Sequence, residues 1–340
     1  MPPIECFAAL NPSEQLKPWS YDSGELQEDH VLISIECCGV CHSDVCQIYD
    51  EWQAASFPLV PGHEIVGTIA AVGSAVTARK VGERVGVGPQ RSNCGSCDAC
   101  ACGADNVCPA IRKTYAGPGK DKGGFAKQIQ MPFSWVFPIP ESLPSEAAAP
   151  LLCAGITTFS PLKRHLVQGA AIGILGIGGL GHVALQFAAK MGYGSVTAIS
   201  SSKSKEAEAR SFGASAFLDM TDPASVAAAK GSLDIILCTA SGDLDWGSYL
   251  ALLKPRGKLV NAGLPPVSAP MAFVAQLCVC SERAVIGSFL GPNADYEEML
   301  RFAAENEIAP KIEVLPFDQV NVAVEKCKLN TARYRMVLKH

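Results

Sequence analysis

The 340 residues, 48% of them apolar or aromatic, are enough for two domains with developed cores. A formal net charge of −5 without a long basic run leaves no electrostatic footprint for nucleic acid or an anionic membrane surface, so small molecules are the expected partners. The opening "MPPIECFAALNPSEQLKPW" has no basic segment followed by an apolar one, which predicts a cytoplasmic protein whose fifteen cysteines are metal ligands or buried thiols rather than disulfides.

From residue 4 to about 138 the chain alternates apolar and polar residues in short runs such as "HVLISIE", "EIVGTIAAVG", "ERVGVG" and "FAKQIQM". Gly and Pro punctuate these runs, and the pattern predicts an antiparallel β domain with irregular loops. "PIPESLPSEAAAP", Pro138 to Pro150, shifts to Pro, Ser and Ala and reads as a domain junction. Beyond it strand and helix signals alternate: "AAIGIL", a helix from about Gly179, "SVTAIS", a helix from about Lys203, then "AFLD", "LDIILC", "GKLVNAG" and "AVIGSF". That alternation predicts βαβ units and a parallel sheet. The tail offers an amphipathic helix in "YEEMLRFAAENEI" and a last strand in "RYRMVLK". The run Gly169 to Ala189 lacks Asp, Glu, Lys and Arg, but its glycines, His182 and Gln186 argue against a membrane span.

The strand "AAIGIL" runs directly into Gly176-Ile177-Gly178-Gly179-Leu180-Gly181, and Leu180, Val183, Ala184, Phe187, Ala188 and Met191 then share one helical face. Glycines in a strand-turn-helix setting allow a tight turn and close approach to a pyrophosphate, while the helix start presents free N–H groups. A dinucleotide is therefore expected. Where an NAD site carries an acid for the ribose 2′-hydroxyl, about twenty residues on, this chain has Ser200, followed by Ser201, Ser202, Lys203 and Lys205. Hydroxyls and ammonium groups suit a 2′-phosphate, so NADP(H) is favoured; the alternative is an ordinary polar helix cap.

Two sets of candidate metal ligands stand out. Cys94, Cys97, Cys100 and Cys108 follow C-x2-C-x2-C-x7-C, a spacing that lets four thiolates converge on one zinc. An iron–sulfur cluster is the near rival, encouraged by Cys108-Pro109. Cys41, His63 with Glu64, and Cys153 are dispersed, and no spacing rule joins them; together they offer two thiolates and an imidazole, the donors of a catalytic zinc. Cys38 to His42 also spells C-x-x-C-H, the attachment pattern of c-type haem, and the octapeptide alone does not decide its meaning.

"CGVCHSD", "VPGHEIVG", the four-cysteine loop, "GGFA", "LLCAGITTFSPL", "GIGGLGH", "ISSSKSK", "GSFLG" and "ARYRMVL" occur in one order over nearly the whole chain. In them the sequence resembles the zinc-containing medium-chain alcohol dehydrogenases, and within these the cinnamyl alcohol dehydrogenase branch. The resemblance implies an α/β protein: a GroES-like β domain at 1–149, a Rossmann doubly wound parallel-sheet domain at 150–286, and a return to the first domain at 287–340. It implies two zincs per chain, NADP(H), and a homodimer or tetramer.

The same matching implies that Cys41, His63 and Cys153 hold the catalytic zinc with Glu64 near it, and that Cys94, Cys97, Cys100 and Cys108 hold the structural one. C-x-x-C-H is then a coincidence. Asp44 matches the carboxylate that orients the ligating histidine, Ser43 the hydroxyl at the substrate oxygen, and His42 a residue at the cofactor pyrophosphate. Thr157 and Ser288 match positions near the cofactor, beside Gly176, Gly178, Gly179, Leu180, Gly181, Ser200, Ser201 and Lys205. The implied reaction is hydride exchange between a nicotinamide and an aromatic or allylic aldehyde or its alcohol, with Ser43 supplying the proton. The rivals are a polyol dehydrogenase of the same superfamily, or a silent redox or metal sensor on the same fold. One departure stands out: many relatives carry histidine at the outer end of the proton relay, where this chain has Cys46.

Overall fold

The strand His30–Val40 is buried along most of both faces, which is why the alternation in "HVLISIE" is incomplete and gives way to the unbroken "CCGV". In the computed structural model, which describes residues 2–115, 121–264 and 270–340, it is the centre of the first of two units. That unit comprises Met1–Ile156 and Pro292–His340. Ile65–Val72 pairs with one edge of His30–Val40, while Gln128–Pro132 and Arg335–Lys339 share the other. Arg84–Val87 and Phe137–Pro138 extend the sheet on the Ile65–Val72 side, and Ile312–Pro316 closes the far side. The domain is not wholly antiparallel as the sequence suggests, because Ile312–Pro316 runs parallel to Arg335–Lys339 across the intervening helix Val320–Lys328.

Among the described residues of the first unit, three helices of more than one turn go unannounced by the alternation. His42–Ile48 starts at Cys41, where Asp44, three residues on, accepts the Cys41 N–H at 2.8 Å and closes a capping box. Val320–Lys328 is the second. The third, Ser145–Pro150, lies inside the stretch read as a junction, yet Ala148, Ala149, Leu151 and Leu152 are fully buried in the first unit. The change of unit accordingly falls at Ile156/Thr157 and Gly291/Pro292 rather than at 149/150 and 286/287. Between Pro150 and helix Ile156–His165 the winding widens to a π turn over Leu151–Gly155.

The second unit, Thr157–Gly291, is a six-stranded parallel sheet in the order Ala216–Asp219, Ser195–Ser200, Ala171–Leu175, Leu233–Cys238, Leu253–Asn261, Ala284–Gly287. The chain starts in the middle, builds outward on one side and then returns to build the other, which is the doubly wound topology. Leu175, Ile199, Leu218, Ile236, Leu253 and Leu259 form its core. The glycine turn follows the C-terminal end of Ala171–Leu175, at the point where the strand order reverses.

Asp105, inside the four-cysteine loop, ties that loop to the C-terminal part of the first unit. Its carboxylate accepts the Asn293 N–H at 3.0 Å, at the start of helix Asn293–Glu305, and the Asn93 side chain at 3.1 Å. Replacing Asp105 with Ala leaves a helix-start donor without its acceptor, and we expect urea unfolding to show a loss of about 1 kcal/mol. An unchanged midpoint would show that this tether does not support the fold.

Candidate active site

Cys41 sits where the central strand ends and helix His42–Ile48 begins, His63 and Glu64 immediately precede Ile65–Val72, and Cys153 lies in the π turn. The added residue of that turn re-aims the side chains that follow it, a device common at functional sites. Gly62 makes the approach of His63 possible. Its φ is +97°, and a Cβ there would lie 2.8 Å from the Phe125 backbone N and 2.9 Å from Cys38 Sγ. Donor atoms of Cys41, His63, Glu64 and Cys153 all lie within 4.8 Å of one another, and all four residues are buried.

The Cys41 and Cys153 sulfurs are 3.9 Å apart, nearly twice the roughly 2.05 Å of a disulfide. Zn–S bonds of about 2.3 Å in a tetrahedron place sulfurs about 3.8 Å apart, so the pair fits a shared ion. The proton shared by these thiols holds Cys41 well below the usual thiol range and Cys153 well above it. Burial opposes a charged His63 ring, but Asp44 and Cys41 outweigh it and raise its pKa well above the ordinary imidazole value. Each group is thus held in a state that depends on its neighbour's proton, which a cation in their midst would replace.

Asp44 is fully buried and gathers donors from three parts of the chain. Oδ2 accepts the Cys41 N–H, and Oδ1 accepts the Gly62 N–H at 2.9 Å and the Tyr115 hydroxyl. His63 Nδ1 lies 3.3 Å from Oδ1, which leaves Nε2 for the donor set. Burial and Asp44 push the Tyr115 hydroxyl well above the ordinary phenol range, so it stays a donor. Ser43 Oγ is 3.6 Å from Cys41 Sγ, and His42 is exposed at the helix start.

Glu64 pairs through Oε1 with Arg335 of the last strand, and both are buried. Its Oε2 has no hydrogen-bond partner, an arrangement that leaves one carboxylate oxygen uncommitted beside the thiols. Burial pushes the Glu64 carboxyl up to about 7 against the pull of Arg335. With both thiols ionised, two thiolates and a carboxylate facing one guanidinium would carry an excess of negative charge that a divalent cation offsets.

The second set is equally close-knit. Sulfur separations among Cys94, Cys97, Cys100 and Cys108 are 3.5, 3.6, 3.8 and 4.0 Å. These are edges of a tetrahedron about one zinc, whereas cluster thiolates, each on its own iron, would stand further apart. The N–H groups of Ser96 and Cys97 hold the Cys94 thiol down to about 6, while loss of solvent and its sulfur neighbours push Cys100 up to about 12. Four thiolates cannot share this space without a cation. Cys102 lies outside the set and donates to Ala99 O at 3.4 Å.

The remaining sulfurs near the C-x-x-C-H motif are packing groups. Cys38 is fully buried against Gly62 and Gly124, and burial pushes its thiol well up. Cys46 is buried too, and burial with the adjacent Glu51 carboxylate raises it well above the ordinary thiol value. It stays protonated through the neutral range.

In the second unit Gly176 has φ +88°, and a Cβ on Gly181 would lie 1.8 Å from Gly176 O. Leu180 leads into helix Gly181–Lys190. Lys205 Nζ donates to Ile177 O at 2.8 Å, which holds its ammonium against the turn. Ser200 ends its strand, with its Oγ accepting the Ser202 N–H at 3.1 Å; Ser201 is exposed. Asp219, level with Ser200 on the next strand, is engaged by the N–H and hydroxyl of Thr221. Thr157 is buried in helix Ile156–His165, and Ser288 Oγ is buried without a partner after strand Ala284–Gly287.

Sequence reasoning missed Tyr115 and Arg335. Arg335 lies within the "ARYRMVL" stretch, but nothing in its spacing points to Glu64, and Tyr115 carries no local signal at all.

Known proteins resemble the chain in sequence and in fold. Residues 27–141 match the alcohol dehydrogenase GroES-like domain, and residues 179–305 match the zinc-binding dehydrogenase family. Cinnamyl alcohol dehydrogenase 8 of Arabidopsis thaliana is 41% identical over 98% of this chain and 94% of its own length. A solved cinnamyl alcohol dehydrogenase of Sorghum bicolor superposes with a TM-score of 0.94 at 39% identity, covering 99% of this chain and 97% of that one. The structure of CAD from Helicobacter pylori complexed with NADP(H) gives 0.91 at 32% identity, over 99% and 98% of the two chains. The chain belongs to the zinc-containing medium-chain alcohol dehydrogenases, in their cinnamyl alcohol dehydrogenase-like branch. It is an oxidoreductase of alcohols and aldehydes.

The two donor sets should separate experimentally. Metal analysis of the purified protein is expected to find about two zinc per chain, one for each set. Cys153→Ala should abolish turnover and lower the zinc content to about one while the fold survives, whereas Cys97→Ala should mainly lower the melting temperature. Equal unfolding of both variants would contradict this division.

Proposed function

We propose that the chain is a zinc- and NADP(H)-dependent alcohol dehydrogenase and aldehyde reductase of broad range, acting on primary, especially aromatic or allylic, alcohols and aldehydes. The buried set of Cys41, His63 and Cys153 carries the reading, since two thiolates and one imidazole leave a fourth metal position for a substrate oxygen. When bound, zinc supplies Lewis acidity to that oxygen, and a nicotinamide supplies or accepts hydride.

The chain's own residues do the rest. Asp44 keeps the proton on His63 Nδ1 and fixes the ring. Ser43 passes a proton to the substrate oxygen during reduction while drawing one that originates in solvent, so its hydroxyl is restored, and the transfer runs in reverse during oxidation. Glu64 stays by the donors through its pair with Arg335. His42 serves the cofactor pyrophosphate; Thr157 and Ser288 serve the rest of the cofactor. The first unit bears both metals, and the second bears the dinucleotide on Gly176, Gly178, Gly179, Leu180 and Gly181.

The preference for NADP(H) is supported by the serine that replaces a carboxylate at the end of Ser195–Ser200, by Ser201, and by Lys205 held on the turn. In Ser200→Asp the new carboxylate can still accept the Ser202 N–H, so the fold should hold, while it repels a 2′-phosphate. The KM for NADPH should rise by at least about tenfold and that for NADH should fall. The test is a steady-state screen of aromatic aldehydes with both cofactors, with and without chelator. An unchanged cofactor ratio removes the 2′-phosphate assignment, and turnover indifferent to chelator removes the zinc reaction.

The reading includes a homodimer or tetramer. Strand Ala284–Gly287 is the edge of its sheet, and the segment leading into it exposes Val274 and Val279, at 63% and 75%. Val279→Asp should shift the mass found by light scattering towards the monomer. A mass that does not move would place the interface elsewhere.

A further inference from the structure

We infer that Tyr115 is a positioning residue for His63, acting through Asp44 and thereby setting how firmly the Cys41, His63 and Cys153 site holds its metal. The inference rests on reading those three residues as a metal site.

Tyr115 touches both members of the pair it serves. Its hydroxyl donates to Asp44 Oδ1, and its ring stacks on the His63 ring with centroids 5.7 Å apart and planes 21° from parallel. Only 4% of its surface is exposed. Oδ1 is the oxygen that faces His63 Nδ1 at 3.3 Å, the longest of the approaches to this carboxylate. The His63 contact is therefore a consequence of where the other donors hold the carboxylate. Gly62 and Tyr115 are the two that hold Oδ1.

The backbone just before Tyr115 is anchored. Thr114 donates its N–H to Pro89 O at 2.9 Å and its hydroxyl to Gly88 O at 2.5 Å, and Arg91 donates to Thr114 O at 3.3 Å. The short strand pair Gln90–Ser92 with Arg112–Lys113 closes the base of the four-cysteine loop just before it. Tyr115 is thus presented to Asp44 by the strand that leaves that loop.

Tyr115→Phe keeps the ring against His63 and removes only the donor. The experiment follows zinc transfer from the loaded enzyme to a chromogenic chelator, with Cys153→Ala identifying the phase that belongs to this site. Release from this site is expected to be about 10- to 100-fold faster in Tyr115→Phe, as for other partners of ligating histidines, with the four-cysteine phase unchanged. Cobalt placed in the site should show a shifted visible spectrum. Adding Tyr115→Phe to Asp44→Asn should change release little further, because both act through one carboxylate.

Release and spectrum equal to wild type would overturn the role of Tyr115 while leaving the metal site intact. A wild-type protein whose zinc content Cys153→Ala does not alter would overturn the site itself, and Tyr115 with it. Should Tyr115→Phe not fold, Asp44→Asn is measured alone, and wild-type release in that variant overturns the proposal.

Discussion

The buried carboxylate of Asp44 is the constraint on which the site's geometry depends. An isolated carboxylate taken from water costs several kcal/mol, and it is tolerated only when its lone pairs are filled. Here the donors come from residues 41, 62, 63 and 115, so filling them draws the start of a helix, a glycine turn, a histidine and the exit of the four-cysteine loop to one point. The same hydrogen bond that caps helix His42–Ile48 also fixes the backbone of Cys41. Local secondary structure and ligand geometry are therefore one interaction here.

Charge makes the second demand. Glu64 and Arg335 are both buried, and a Cβ on Gly39 would lie 2.0 Å from Glu64 Oε2, so the central strand leaves just enough room for that oxygen. A buried ion pair seldom adds stability over apolar packing, so the pair is a weak argument for the stability of the fold. By contrast, the four-cysteine loop lies partly exposed, with Cys94 exposed and only Cys108 buried. It gains from a cation mainly by closing an irregular loop that has no apolar core of its own.

What the sequence made legible was local. The strand-turn-helix with its glycines, the parallel strands and the four-cysteine spacing all lie within a few tens of residues, and each follows from periodicity or turn chemistry. No spacing rule joins Cys41, His63 and Cys153, which span more than a hundred residues, so only their donor types and the family resemblance group them. The π turn at Leu151–Gly155 was hidden because a widened helical turn leaves the apolar pattern almost unchanged. Helix His42–Ile48 was hidden for another reason. Its start signal is a cysteine followed by Asp44, not the usual hydroxyl residue, and its residues are nearly all buried. Tyr115 and Arg335 reach the site across the fold, so their partners exist only once the sheet has formed.

The glycines of the dinucleotide turn show how fold and function can be told apart in one hexapeptide. Gly176 needs its left-handed φ, and Gly181 has no room for a side chain against Gly176 O. The protein's own backbone requires both. A Cβ on Gly178 would meet nothing within 4 Å, and its backbone does not take the left-handed conformation. Glycine there costs conformational entropy without relieving any contact in the chain. The dinucleotide proposed for this turn accounts for it, since a pyrophosphate would approach where a methyl would stand.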